Sequence, residues 1–314
     1  MVLTGWEWES AMTDYGRTLA FGSFITPAAG SLSAVTELVA MTERAGLDMA
    51  TFQDHPYQPS FFDTWTLLSY LAAKTERITL AGNVLNLPLR PPTVMARSLA
   101  SLDILSGGRI ELGIGAGGFW DPIVAMGGRR LTPGQSITAL SEGIDIIRGL
   151  WDTSDKTRFA YEGEFYSSVG AKRGPAPVHD MEIWIGALKP RMQRLIGTKG
   201  DGWVPSLGYL GDMSNYSAGN EIIDGAALEA GRDPKAIRRM LNINGQLTNV
   251  AGANPLVGPP KKWIDDLTEM ALVHGVDTFI LGGDDPRMLE ILGQELAPAV
   301  RENVAAARNS SAGA

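Results

Sequence analysis

At 314 residues, with 44% hydrophobic and 20% charged positions, the chain is long for one sandwich or doubly wound domain but ordinary for a barrel carrying an insertion. The absence of cysteine excludes disulfides, thiolate nucleophiles, iron–sulfur clusters and cysteine-held zinc, and fits a reducing compartment. A formal net charge of −8 speaks against a nucleic-acid surface, which must neutralise phosphates, while leaving local basic clusters free for an anionic cofactor.

Residues 1–17 hold Glu7, Glu9 and Asp14 with no basic start and no apolar stretch, so they read as an N-terminal extension and not as a signal peptide. Within them, residues 1–11 are either extension or a segment ahead of an alternative start at Met12. No run approaches the roughly 18 uninterrupted apolar residues of a membrane span. A cytoplasmic protein with no membrane partner is expected.

From Leu19 onward, apolar runs of strand length alternate with helical patterns, the order that a parallel sheet with crossover helices requires. Strands are expected at Leu19–Phe24, Asp48–Gln53, Arg77–Leu85, Arg109–Gly115, Glu182–Gly186, Gly202–Pro205, Arg239–Leu247 and Asp277–Leu281. Helices are expected at Ser33–Ala45, Phe62–Lys74, Thr93–Leu105, Gly134–Trp151, Pro190–Thr198, Asp212–Ala230, Pro260–His274 and Pro286–Ala307. Ser31 or Ser33 can cap the first helix, Pro133 and Pro286 suit helix starts, and Gly46, Gly231 and Gly275 suit helix ends.

Eight such units in succession favour an α/β fold of the (β/α)8 TIM-barrel class over an open doubly wound sheet. One barrel is expected over residues 18–304, with a flexible tail rich in Ala, Ser, Asn and Gly over 305–314. An insertion between helix 4 and strand 5, residues 152–180, holds a hairpin pattern, Arg158–Tyr161 with Glu164–Ser167. Long loops in compact domains are usually functional.

In such a barrel the chemistry gathers in the loops after the strands. His179 and His274 precede strands and fall at the opposite face, so His55, directly after the second strand, is the candidate general acid or base, with Asp54 beside it and Tyr57 and Phe61 close behind. After the third strand, Gly82 and Asn83 mark either an ordinary turn or a close approach to a flat ring. The fourth strand ends in Gly113-Ile-Gly115-Ala116-Gly117-Gly118, followed by Phe119 and Trp120. Its exposed backbone could receive a ring edge or an anion, but its spacing is not a dinucleotide fingerprint.

The fifth strand ends at Gly186-Ala187, and Leu188-Lys189-Pro190-Arg191 opens the next helix. Free N–H groups and basic side chains there make a phosphate site, the alternative being a solvated first turn. Acidic pairs for glycoside hydrolysis and metal-ligand clusters are both missing from the strand ends, so no metal site is expected. The site reads as built for a cofactor that brings its own chemistry.

Several of these segments together resemble the luciferase-like monooxygenase superfamily, barrel enzymes that use FMN or the deazaflavin F420. They are Asp54-His55, Asn83-Val84 with Arg90-Pro91-Pro92, Leu102–Arg109 leading into Gly113–Gly117, and Gly200-Asp-Gly-Trp203; the likeness runs from about Leu19 to Val304. The resemblance implies that Asp54 and His55 lie beside the cofactor ring as catalytic residues. It implies a non-prolyl cis bond at Asn83–Val84 against the ring. Gly115, Ala116 and Gly117 would contact the ring edge or ribityl chain, and Gly186, Ala187, Leu188, Lys189 and Arg191 the phosphate. Tyr57, Phe61, Phe119 and Trp120 would shape the substrate pocket.

Two departures narrow the reading. Gly118 stands where the family's F420-dependent sugar-phosphate dehydrogenases carry a Glu, which speaks against their substrate chemistry. Asp54-His55-Pro56 replaces the Glu-His-His run of the luciferases and leans to F420 over FMN. The expectation is hydride transfer between reduced F420 and a small organic substrate. The alternatives are an FMN monooxygenase fed by a partner reductase and a non-catalytic cofactor-binding barrel. The resemblance also implies a homodimer and a flavin or F420 reductase as a possible partner.

Overall fold

The apolar runs pair in parallel, each with its successor, in the computed structural model, which describes residues 13–312. The barrel strands are β1 (Ala20–Ile25), β2 (Met49–Phe52), β3 (Thr79–Gly82), β4 (Ile110–Gly115), β5 (Ile183–Ile185), β6 (Gly202–Trp203), β7 (Arg238–Ile243) and β8 (Thr278–Gly282). Parallel pairing runs in register from Gly22 opposite Met49 to Met240 opposite Thr278, and Ala20 opposite Thr278 closes the ring between β1 and β8. The expected (β/α)8 barrel is therefore the observed fold.

Neighbours along a strand point to different cores, as two-residue alternation requires. Leu80, Ile183 and Phe279 join the large core under the helices, whereas Ala81, Trp184 and Ile280 join Met49, Val204 and Met240 in a second cluster that fills the barrel. The surrounding helices are α1 (Leu32–Arg44), α2 (Thr64–Ala72), α3 (Pro92–Ser106), α4 (Pro133–Trp151), α5 (Pro190–Lys199), α6 (Met213–Glu229) and α7 (Pro260–Leu272). After β8, α8 (Pro286–Ile291) runs through a π turn at Leu292–Leu296 into α9 (Ala297–Ala312). Starts are capped as the sequence suggests: Ser31 accepts from the Ala34 N–H, and Thr132 with Gln135 forms a capping box ahead of Pro133.

The structure departs from the expected boundaries where specific bonds intervene. The third strand stops at Gly82, a cis peptide joins Asn83 to Val84, and Leu85–Asn86 then pairs with β4. The seventh strand stops at Ile243, and Gln246–Leu247 pairs instead with Val257–Gly258. In the insertion, Phe159–Glu162 pairs with Ser167–Ala171, later than expected. The reason is Glu142 on α4, whose carboxylate accepts the N–H groups of Glu164, Phe165 and Tyr166 and so holds those residues in the turn.

Two further boundaries shift. The final helix passes Val304 and continues to Ala312, and Arg308 within it pairs with Asp14, so helix replaces the expected tail over 305–312. At the other end, Tyr15 bonds Asp224 and Arg17 bonds Glu182, fastening the end of the expected extension to the lower face of the barrel. Residues 1–12 and 313–314, including the alternative start at Met12, lie outside the described residues. Among the described residues no helix is long and apolar enough to cross a membrane.

Leu102–Arg109 also serves this lower face. Arg109 donates to the carbonyls of Ala72, Thr75 and Ile78, closing the end of α2. Asp103 and Glu111 hold the two ring nitrogens of His179 at 3.0 and 3.2 Å.

Candidate active site

Where the strands end, their C-terminal loops surround a cavity of about 490 Å³. The size suits a small-molecule or cofactor site. Of the residues singled out in the sequence, Asp54, His55, Tyr57, Asn83 and Val84 line it from β2 and β3. Gly115, Ala116, Gly117 and Phe119 line it from β4, and Gly186, Ala187 and Leu188 from β5.

Four expected residues stand outside the lining. Phe61 is tied by its backbone to Ala28 across a single bridge. Trp120 opens the short helix Trp120–Ala125 and lies against Gly117, where an added Cβ would meet its ring at 3.2 Å. Lys189 caps α5 and is exposed. Arg191 turns toward the start of α4, its guanidinium 3.3 Å from where a Cβ on Gly134 would sit.

His55 is half-buried, and its Nδ1 lies 2.7 Å from the Tyr57 hydroxyl. Phe119 meets the imidazole edge-on, with ring centroids 5.4 Å apart. Burial pushes the His55 pKa below its ordinary value, partly opposed by the negative charge of Asp54, so the ring is neutral near pH 7. The same burial, with the Asp54 charge, raises Tyr57 and keeps its hydroxyl protonated.

A neutral imidazole bonded through Nδ1 leaves Nε2 as its working nitrogen. A Tyr57 hydroxyl that donates to Nδ1 leaves Nε2 carrying a proton; one that accepts from Nδ1–H leaves Nε2 as a base. The pair is equipped for either direction of proton transfer.

Asp54 lines the cavity but is not free to share that chemistry as expected. Its carboxylate accepts Nε and Nη2 of Arg90 at 2.9 and 2.8 Å and the Asn86 N–H at 2.8 Å. The side chain is fully buried. A bidentate pair with a third donor orients a loop and leaves little accepting capacity for a substrate. Asp54 is thereby a positioning residue, joining the loop after β2 to the one after β3.

The cavity floor is neutral and close-packed. Asn83 donates to the side-chain oxygen of Asn242 at 2.7 Å, bridging β3 to β7 across the barrel. Val84 is flanked by glycines: an added Cβ at Gly115 would come within 2.7 Å of Val84 Cγ2, and one at Gly186 within 3.4 Å. Gly115 needs a missing side chain for Val84 to fit, whereas a Cβ at Gly186 would make ordinary contact with it.

Sequence reasoning missed Phe24, Gln53, Ser206, Tyr209 and Asn242 in the lining. Ser206 and Tyr209 follow a strand and met the same positional filter as His55. Asn242 was legible as a lone amide inside the apolar run Met240-Leu-Asn-Ile.

These residues fit a flat, uncharged ring. The buried side-chain oxygen of Asn86 has no hydrogen-bond partner among the described residues, so a bound group offering an N–H or O–H would complete it. A Cβ at Gly118 would meet nothing within 4 Å, which leaves open space beside the wall. In the first turn of α5, which has no side-chain cap, Pro190 has no N–H and Met192 donates to the Lys189 carbonyl, which leaves the Arg191 N–H available to an anion. Among the described residues no cluster of ligating side chains could hold a metal ion.

The family model described as luciferase-like monooxygenase matches residues 16–248. An F420-dependent glucose-6-phosphate dehydrogenase of Nocardia farcinica is 31% identical over 220 residues, which is 67% of this chain and 63% of that protein. F420-dependent glucose-6-phosphate dehydrogenase 2 of Rhodococcus jostii is 27% identical over 85% of this chain and 93% of its own length. The solved structure of an F420-dependent secondary alcohol dehydrogenase with an F420–acetone adduct superposes with a TM-score of 0.79 at 16% identity, covering 90% of this chain and 99% of that one. With the matched segment spanning most of the barrel, the chain belongs to the luciferase-like monooxygenase family.

Proposed function

We propose that this protein is an F420-dependent oxidoreductase that moves a hydride between the cofactor and a small organic substrate, with His55 exchanging the accompanying proton. The observation that carries the reading is the desolvated, neutral His55 beside Tyr57 in the wall of the cavity. The F420-dependent relatives support the choice of cofactor. Bound F420 would supply a two-electron carrier whose ring takes up or releases hydride.

The chain's own residues divide the remaining work. Val84, Gly115 and Gly186 would hold the ring on the floor, with the Asn86 oxygen accepting from its edge. The start of α5, with Lys189 and Arg191 on the rim, would receive the cofactor's phosphate. Asp54 and Arg90 fix the loop that carries His55. In alcohol oxidation the hydride leaves the substrate carbon and the hydroxyl proton passes to Nε2 of His55; reduction reverses both transfers. Cytoplasmic residence, a homodimer and a separate enzyme that recycles the cofactor belong to the same reading.

Anaerobic turnover tests it. With oxidised F420 and a substrate alcohol, the cofactor's visible absorbance should bleach with one equivalent of carbonyl formed. Turnover that needs FMN and consumes oxygen would instead establish a monooxygenase.

A further inference from the structure

We infer that the substrate of this site is an uncharged alcohol or the matching carbonyl compound, and that a phosphorylated substrate is excluded. The inference rests on the hydride-transfer reading above and concerns what else the cavity can hold.

No lysine or arginine lines the cavity among the described residues. The one carboxylate in the lining, Asp54, is neutralised by Arg90. Gln53, Asn83, Asn86, Ser206 and Asn242 are neutral hydrogen-bonding groups, and His55 is a neutral ring.

Cations near the mouth have other engagements. Arg90 spans Asp54 and Asp63, Arg130 pairs with Asp121 and Arg129 lies over the Phe165 ring. Lys189 and Arg191 stand at the start of α5, off the wall, where the hydride-transfer reading seats the cofactor's own phosphate. On the opposite side, Asp284 and Asp285 follow β8, are exposed, and make no ion pair among the described residues. Their charge adds repulsion for any anion approaching that rim.

The outer wall has a different character. Phe119 is 60% exposed and Tyr209 78% exposed, although both face the cavity, and Leu188 and Tyr57 complete an apolar and aromatic collar. Such a collar gains from covering a hydrocarbon body. A phosphate dianion passing the collar into the cavity would give up hydration with no lining cation to replace it. An alcohol needs only one or two hydrogen bonds, which His55 and the neighbouring amides provide.

The reaction this admits balances without a further reagent. A secondary alcohol gives its carbon-bound hydrogen as hydride to oxidised F420 and its hydroxyl proton to His55. A ketone and the reduced cofactor result, with the two electrons moving as the hydride.

The protein should be titrated calorimetrically with F420, then with cyclohexanol, glucose and glucose-6-phosphate, and its turnover measured on each. The expected result is saturable binding and oxidation of cyclohexanol, with kcat/KM for glucose-6-phosphate lower by about 100-fold or more, as for an uncompensated buried charge. Glucose-6-phosphate binding more tightly than glucose, with or without cofactor, would overturn the inference. Failure of F420 to bind would overturn the cofactor reading, and the comparison of glucose with its phosphate on unloaded protein carrying Lys189→Ala and Arg191→Ala, which removes the cations of the vacant cofactor-phosphate site, would then decide the substrate class.

Discussion

The Nδ1 of His55 and the hydroxyl of Tyr57 lie 2.7 Å apart, beneath a Phe119 ring that meets the imidazole edge-on. Replacing His55 with Asn should lower kcat by about 100- to 10,000-fold while leaving F420 binding unchanged. Unaltered turnover in that variant would mean a non-catalytic barrel or another proton carrier. Tyr57→Phe keeps the packing and removes the bond, so kcat should fall with little change in cofactor affinity.

The pH profile follows from the lowered pKa of His55. As the base in alcohol oxidation His55 must be unprotonated, so activity should be level above about pH 6.5, the ordinary histidine value, and decline only on the acid side of it. An acid limb above that value would show that the imidazole is stabilised as a cation, contrary to its desolvation.

Asp54 and Arg90 are predicted to matter for stability more than for chemistry. Arg90→Met leaves a fully buried carboxylate with a single backbone donor, and urea unfolding should show a loss of about 3–5 kcal/mol. Asp63→Asn keeps an oxygen to cap α2 at the Thr66 N–H and removes only the charge at the exposed end of the network, so it should cost under about 1 kcal/mol. Equal effects would indicate that the bidentate pair does not fix the loop.

Glycines at the cavity separate packing from space. Gly115→Ala places a Cβ 2.7 Å from Val84 Cγ2, so it should lower stability by about 1–3 kcal/mol and weaken cofactor binding. Gly118→Ala meets nothing within 4 Å and should leave the melting temperature unchanged. Reversal of the two would place the tight side of the cavity elsewhere.

At the far end of the barrel, hydrogen bonding to Glu111, aided by Asp103, raises His179 to about 9. A histidine whose folded pKa lies above its unfolded value contributes stability that is complete below about pH 6.5 and is lost as the pH rises through about 9. His179→Gln should therefore flatten the stability profile between those values. It should leave kcat near wild type, because the clamp lies at the opposite face from the mouth.

Much of this was legible because the barrel imposes a positional rule. Strand ends on one face select His55 from three histidines, and the run Asn83-Val84 held its cis bond as expected. Contacts between distant loops were not legible. Nothing in the spacing of Asp54 and Arg90 reveals that they pair at 2.8 Å, nor that Asn83 reaches Asn242 across the barrel. Arg191 was read as a phosphate ligand from its place in the first turn of a helix, and the direction of its side chain, toward Gly134 at the start of α4, was not legible from that place. The Ser167–Ala171 strand was displaced by a single carboxylate, Glu142, that lies far from it in sequence.

Cofactor choice is best tested by titrating the protein with F420 and with FMN in parallel, following fluorescence, with each competed against the other. Saturable F420 binding that FMN does not displace is the expected result. Tight FMN binding with none of F420 would contradict it.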